Sequence, residues 1–251
     1  MNKTTVLLCK CRGEKFKNID YSTIENHLSG LLIDLIVVDD LCATVLTHAD
    51  ELNRLNKNDR KIVILACKPR AVKHLFIQNK IELLNQHVIN VRDNASNAAL
   101  DEVIPLTEKG KSTRRSIISP LEVPSWYPVI DKDRCTNCGR CAKFCLFGVY
   151  TFNGEKLHVL NPLHCKNNCP ACARTCPASA ILFPKIAEGG VISGDEPGDK
   201  KITFTRGNLT SRLSDRQNLR ASILKPSVIE MAEKERIAAL RNIQIQEKKH
   251  D

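Results

Sequence analysis

The chain has 251 residues, of which 42% are hydrophobic and 4% aromatic, and carries a formal net charge of +10 and twelve cysteines. That apolar content supports real cores and fits two small domains better than one large one. The scarce aromatics do not interleave with the basic runs, which argues against a nucleic-acid partner recognised by stacking. The longest apolar stretch, Leu31 to Val38, is interrupted by Asp34, so no transmembrane segment is expected.

Two patterns alternate over residues 1–104. Thr4 to Leu8, Leu35 to Val38, Lys61 to Ala66 and His87 to Val91 are short runs rich in Val, Ile and Leu, as expected of strands buried on both faces. Tyr21 to Leu28, His48 to Asn56 and Pro69 to Asn79 are helix-compatible, the last opening with proline in its first turn. This spacing predicts a small doubly wound α/β domain with a parallel sheet. Cys9 and Cys11 follow the first strand, Cys42 lies just past the second and Cys67 ends the third. Ligands of such sheets bind outside the carboxyl ends of the strands, so these four thiols can converge there.

Residues 105–128 carry Pro105, Pro120, Pro124 and Pro128 around the basic stretch Lys109 to Ser116 and read as an extended linker, with Trp126 packing where the next module begins. Residues 129–186 hold the remaining eight cysteines. Residues 187–251 form a charged, partly helical tail. In it Ser214 with Gln217 and Ser227 with Glu230 fit capping boxes, and Ile229, Ala232, Ile237, Leu240 and Ile243 make an apolar stripe. Met1 to Cys11 shows only a five-residue apolar run between Lys3 and Lys10, which is not a secretory signal, so a soluble protein of the reducing cytoplasm is expected. Twelve cysteines there point to metal or redox chemistry rather than disulfides.

Cys135, Cys138, Cys141 and Cys145 follow C-x2-C-x2-C-x3-C, and Cys165, Cys169, Cys172 and Cys176 follow C-x3-C-x2-C-x3-C with Pro177 after the last. The pair of runs resembles the bacterial two-cluster ferredoxins, giving an α/β plus α+β architecture overall. The resemblance implies two [4Fe–4S] clusters: one on Cys135, Cys138, Cys141 and Cys176, the other on Cys145, Cys165, Cys169 and Cys172, because the fourth cysteine of each run serves the other cluster. Gly139 is expected to let the first loop turn closely. Val149 to Phe152 and Lys156 to Leu160 around Asn153-Gly154 predict a hairpin. Two departures bear on the second cluster: Leu146 stands where proline is usual, and three residues, Lys166 to Asn168, separate the first two cysteines of the second run. Zinc held by the same thiols is the competing reading, and zinc ribbons do not use a double run ending in Cys-Pro.

Val6-Leu7-Leu8-Cys9-Lys10-Cys11 with Ala66-Cys67-Lys68-Pro69-Arg70 resembles the N-terminal domain of the A subunit of heterodisulfide reductases. That resemblance makes Cys9, Cys11, Cys42 and Cys67 candidate ligands of a third cluster. The residues themselves also allow Cys42 and Cys67 as small core side chains with Cys9 and Cys11 as an inert or metal-scavenging pair. No Gly-rich dinucleotide fingerprint follows any strand, so no flavin is expected. Lys68 and Arg70, beside Cys67, can neutralise a cluster or bind an anionic group, but read first as helix-capping or solvent-facing residues, and His158 and His164 read as surface residues.

The function these features imply is electron relay through two or three [4Fe–4S] clusters to or from a redox protein partner within a multi-subunit, heterodisulfide-reductase-like oxidoreductase complex. The chain would then be a component of an enzyme rather than one alone, in a host with anaerobic metabolism. The alternative is a thiol/disulfide-active subunit with the N-terminal cysteines as the redox site, which requires a lowered thiol pKa. Each cluster on four thiolates adds roughly −2, so the +10 would fall to about +6 with two clusters and about +4 with three.

Overall fold

The computed structural model describes residues 3–13, 19–56, 60–93, 96–197 and Lys234. The described residues up to 197 form one compact unit. The capping boxes and the apolar stripe expected in the tail lie outside the described residues.

Five strands make a wholly parallel sheet: β1 (Thr4–Cys9), β2 (Ile33–Val38), β3 (Ile62–Ala66), β4 (Gln86–Asn90) and β5 (Thr113–Ile117), in the order β4-β3-β1-β2-β5. The chain leaves β1 for β2 on one side and returns to β3 on the other, so the connections diverge at the carboxyl end of β1, where a crevice forms. Helices cover both faces. Along β1, Val6 and Leu8 face α1 (Tyr21–Ser29) and α5 (Ser96–Val103), which bury Ile24, Leu28, Ala99, Leu100 and Val103. Leu7 and Cys9 face the other way, toward α2 (Leu41–Thr47), α3 (Ala49–Asn53) and α4 (Pro69–Gln78). This period of two is what puts Cys9 on the α2–α4 side. Asp20 and Asp40 cap α1 and α2 by accepting from the Thr23 and Ala43 N–H groups, and Pro69 opens α4.

The stretch expected to be a linker supplies β5, the edge strand beside β2. Its sequence, TRRSI, has four exposed residues, and Arg114 and Arg115 pair with Glu25 and Glu51. Charge on an edge strand blocks pairing with other chains and hides the strand from a hydrophobicity pattern. The single helix expected over His48 to Asn56 is α3 followed by a short 3-10 turn, Arg54–Asn56.

The cysteine-rich segment adds β6 (Val129–Ile130) and β9 (Ile181–Leu182), paired antiparallel, and the hairpin β7 (Tyr150–Phe152) and β8 (Leu157–Val159). Two one-turn helices, α6 (Arg140–Phe144) and α7 (Ala171–Thr175), sit between them. Trp126 stacks on Phe183 with ring centroids 5.1 Å apart, where the α/β part gives way to this segment. Gln78 of α4 pins β6 through the Pro128 carbonyl and the Ile130 N–H. Tyr127, Val129 and Leu182 therefore share one core with α2 and α4. No helix among the described residues is long and apolar enough to cross a membrane.

Candidate functional site

At the carboxyl edge of the sheet Cys9, Cys11, Cys42 and Cys67 line one recess with Asp40, Leu41, Ala66 and Pro184. The Leu41 N–H donates to Cys9 Sγ at 3.4 Å. A hydrogen bond to Cys11, reinforced by burial, pushes the Cys9 thiol up, and the same bond holds Cys11 below the ordinary thiol range. Burial raises Cys42 well above that range and Cys67 to about 12. Three of the four thiols therefore stay protonated until something offers them a positive charge.

The eight remaining cysteines lie close enough to act on one another, Cys172 on Cys141 as well as on Cys165. Cys135, Cys138, Cys141 and Cys176 line a recess with Gly139, Leu157, Pro177 and Ile181. Cys145, Cys169 and Cys172 act together on the Cys165 thiol, which burial first of all raises to about 12. Burial is likewise the main cause that raises Cys141 to about 12 and Cys172 to about 11. Hydrogen bonds converge on the sulfurs: Ala180 N–H to Cys176 Sγ at 3.3 Å and Tyr150 Oη–H to Cys172 Sγ at 3.1 Å. Cys138 lies below the thiol range, chiefly because the Arg140 N–H bonds it. Neutral donors aimed at sulfur favour thiolate and raise the potential of iron held there.

Local backbone explains the loops. Gly139 has φ 69°, and a Cβ on it would lie 2.5 Å from the Phe152 ring, so glycine is required for conformation and for space. Asn137 is also left-handed (φ 52°), and its Oδ1 accepts from the Leu157 N–H at 3.1 Å, tying the first loop to β8. The extra residue in the second run is absorbed by a turn in which the Cys169 N–H donates to the Lys166 carbonyl, with Asn168 at φ 58°. Leu146, in place of the usual proline, is 92% exposed.

Sequence reasoning missed the residues that join this segment to the sheet. Lys68 and Arg70 are buried rather than solvent-facing, and Lys68 stands at the N-cap of α4 without a side-chain capping bond. Lys68 pairs with Asp93 and Asp195. Arg70 Nε donates to Asp131 Oδ2 at 2.7 Å, and its other nitrogens reach the carbonyls of Ser179, Val191 and Asp195. Asp131 Oδ1 accepts from the Asp133 and Arg134 N–H groups, and its carbonyl accepts from Cys135, so the first cysteine loop hangs from this carboxylate. His74, Asp131 and Asp133 could together ligate an ion, but Arg70 and Lys73 already neutralise the two carboxylates. Lys185 is buried against Asp40 and Ser125. His158 and His164 are exposed, as expected.

The thiol sets around Cys9 and Cys135 fit iron–sulfur clusters: each gathers free cysteines in a partly apolar recess with an N–H donor on a sulfur. The recess around Cys135 and that around Cys9 enclose similar space, ≈ 320 and ≈ 290 Å³ with their open mouths included.

Residues 127–150 match the model of a 4Fe-4S binding domain family. The chain is 48% identical over 61 residues to an uncharacterised ferredoxin of Methanocaldococcus jannaschii, a match covering 24% of this chain and 42% of the relative. It is 39% identical over 58 residues to pyruvate synthase subunit PorD of Methanothermobacter marburgensis, covering 23% and 65%. A second uncharacterised ferredoxin of M. jannaschii is 33% identical over 61 residues, covering 23% and 78%. The chain thus spans less than two thirds of the first two relatives and most of the third. With four-tenths to three-quarters of these short proteins reproduced around an iron–sulfur motif, the chain belongs to the ferredoxin family and carries a 4Fe-4S binding domain.

Proposed function

We propose that the chain is an electron-transfer subunit holding two [4Fe–4S] clusters in residues 129–186 and a third at the mouth of a doubly wound domain, residues 1–104 with β5 added. The crossed gathering of the eight later cysteines carries this reading. Cys176, last of the second run, lines the recess of Cys135, Cys138 and Cys141, and Cys145, last of the first, acts on Cys165 and Cys172 with Cys169. Those two sets are the proposed ligands, and Cys9, Cys11, Cys42 and Cys67 are the proposed ligands of the third. A [4Fe–4S] cluster supplies reversible one-electron chemistry at a potential set by its surroundings. The chain's own part is to hold the thiolates, direct the Ala180 N–H and Tyr150 Oη–H at sulfur, and exclude water from Cys141 and Cys172.

A partner surface belongs to the same proposal. Of the ten exposed large apolar side chains among the described residues, five, Phe144, Leu146, Phe147, Leu160 and Leu163, fall near Cys145 and Cys165 in sequence. The Leu160 N–H bonds the Val149 carbonyl, which brings the two stretches together. An apolar surface around a cluster suits docking of a redox protein. One relative is a subunit of pyruvate synthase, so a multi-subunit oxidoreductase is the proposed setting. The arrangement of the N-terminal thiols keeps a heterodisulfide-reductase-like partner within it, in the cytoplasm of a host with anaerobic metabolism. The disulfide-reducing alternative is not favoured, because the relatives that the chain matches are ferredoxins and a pyruvate synthase subunit.

Iron and acid-labile sulfide per chain, measured on anaerobically purified protein, test the proposal. About twelve irons, falling to about eight when Cys9, Cys11, Cys42 and Cys67 are replaced by serine, is the expected result. About eight in both would remove the third cluster and leave the ferredoxin pair. Stoichiometric zinc with little iron would overturn the reading.

A further inference from the structure

Lys185 lies in the strap that follows β9, 145 residues from the carboxylate it meets. Its side chain is 5% exposed and Asp40's is fully buried. The ammonium is ion-paired to Asp40 and donates to the Ser125 carbonyl at 2.9 Å and the Ser125 Oγ at 2.8 Å. Asp40 also accepts from the Ser125 N–H at 3.0 Å. Pro184, one residue earlier, forms part of the wall of the Cys9–Cys67 recess, and Asp40 forms another part. Arg92 fixes this strap by donating to the Pro184 carbonyl at 2.8 Å and the Ile186 carbonyl at 2.6 Å. A lysine is buried this way only when an anion answers it, and Asp40 supplies that answer at the wall of the cysteine recess.

We infer that Lys185 is a positioning residue for an anionic cofactor in the N-terminal cysteine recess, a site completed by the strap of the ferredoxin segment rather than by the α/β part alone. The inference rests on the third-cluster reading. Four thiolates around a [4Fe–4S] core carry about two net negative charges, and burial of the thiols opposes them. Lys185 lines a small recess with Cys42 and Pro184, and Asp40 lines the one that all four cysteines share. The ion pair therefore sets one charge of each sign beside the thiols. An added electron makes the site more negative, so the positive end raises the reduction potential and the carboxylate lowers it.

The test uses the full chain with its iron, titrated anaerobically and followed by the electron paramagnetic resonance of each centre, with iron counted in every variant. Lys185→Met should lower the midpoint of the N-terminal centre at least tenfold in its one-electron equilibrium constant, about 59 mV. Asp40→Asn should raise it, the double variant should fall between the two, and Lys185→Arg should return it to within threefold of the unaltered chain. The ferredoxin signals serve as internal controls and should not move. A merely structural ion pair would destabilise both single variants without shifting the potential in opposite directions. If Lys185→Met loses the third centre, the opposite shift in Asp40→Asn and recovery in Lys185→Arg still carry the proposal. About twelve irons with unmoved potentials in Asp40→Asn and Lys185→Met overturn it alone. About eight irons in the unaltered chain overturn the third-cluster reading and this inference with it.

Discussion

Replacing Arg70 by methionine tests the joint between the sheet and the first cysteine loop. The arginine donates four hydrogen bonds across it, one to the Asp131 carboxylate at 2.7 Å and three to the carbonyls of Ser179, Val191 and Asp195, and both charged side chains are 3% exposed. Removing one partner of a buried pair costs about 3–5 kcal/mol, because the remaining charge stays out of water. For a chain of this size that corresponds to a fall of roughly 6–20 °C in the unfolding midpoint. Anaerobic thermal scans of the loaded chain at one fixed heating rate measure it. Two comparisons isolate the cause. Lys73→Met breaks an exposed pair with Asp133, for which about 0–1 kcal/mol is expected. Arg70→Met/Asp131→Asn removes both charges and should recover part of the loss. His74 Nε2 stays 3.0 Å from Asp131 and can take a proton once the guanidinium is gone, so the defect should shrink at acid pH. An Arg70→Met chain no less stable than Lys73→Met would refute the argument.

Three further outcomes follow from the same geometry. Burial chiefly holds the His74 pKa below its ordinary 6.5, so the unfolded chain takes the proton first and stability falls as pH drops through and below about 6.5; His74→Asn should flatten that part of the pH profile of the unfolding midpoint. Gly154→Ala, at φ 96° with nothing within 4 Å, should cost about 1–2 kcal/mol, and Gly139→Ala about 1–3 kcal/mol more from the clash with Phe152, read as faster bleaching of cluster absorbance in denaturant. Tyr150→Phe removes the 3.1 Å hydrogen bond to Cys172 and should lower the potential of the centre held there by roughly 20–60 mV in a redox titration, equivalent to about 0.5–1.5 kcal/mol.

The 4Fe-4S binding domain was legible because cluster ligation fixes the spacing of cysteines in sequence, and the hairpin because Asn153-Gly154 announces a turn between two short runs. Strands β1 to β3 showed as apolar runs because both their faces are covered. β5 did not, since an edge strand answers to pairing and solubility, and TRRSI satisfies both with charge. Arg70, Asp131, Lys185 and Asp40 were illegible for a different reason. A lysine bound for burial looks like any surface lysine until its carboxylate arrives from 145 residues away. Asn137 left a fainter signal, being a residue type tolerant of left-handed backbone inside a tight loop.

The short ferredoxins that this chain resembles cover about a quarter of its length, which makes the cysteine-rich segment look portable. The joint says otherwise. Grafted onto another carrier, that segment would bring along an aspartate and a lysine whose counterions, Arg70 and Asp40, stay behind on the donor. Two unanswered charges would then have to be hydrated or mutated away, so swapping such modules between redox chains selects first for the acceptor's matching ions and only then for its electron partners.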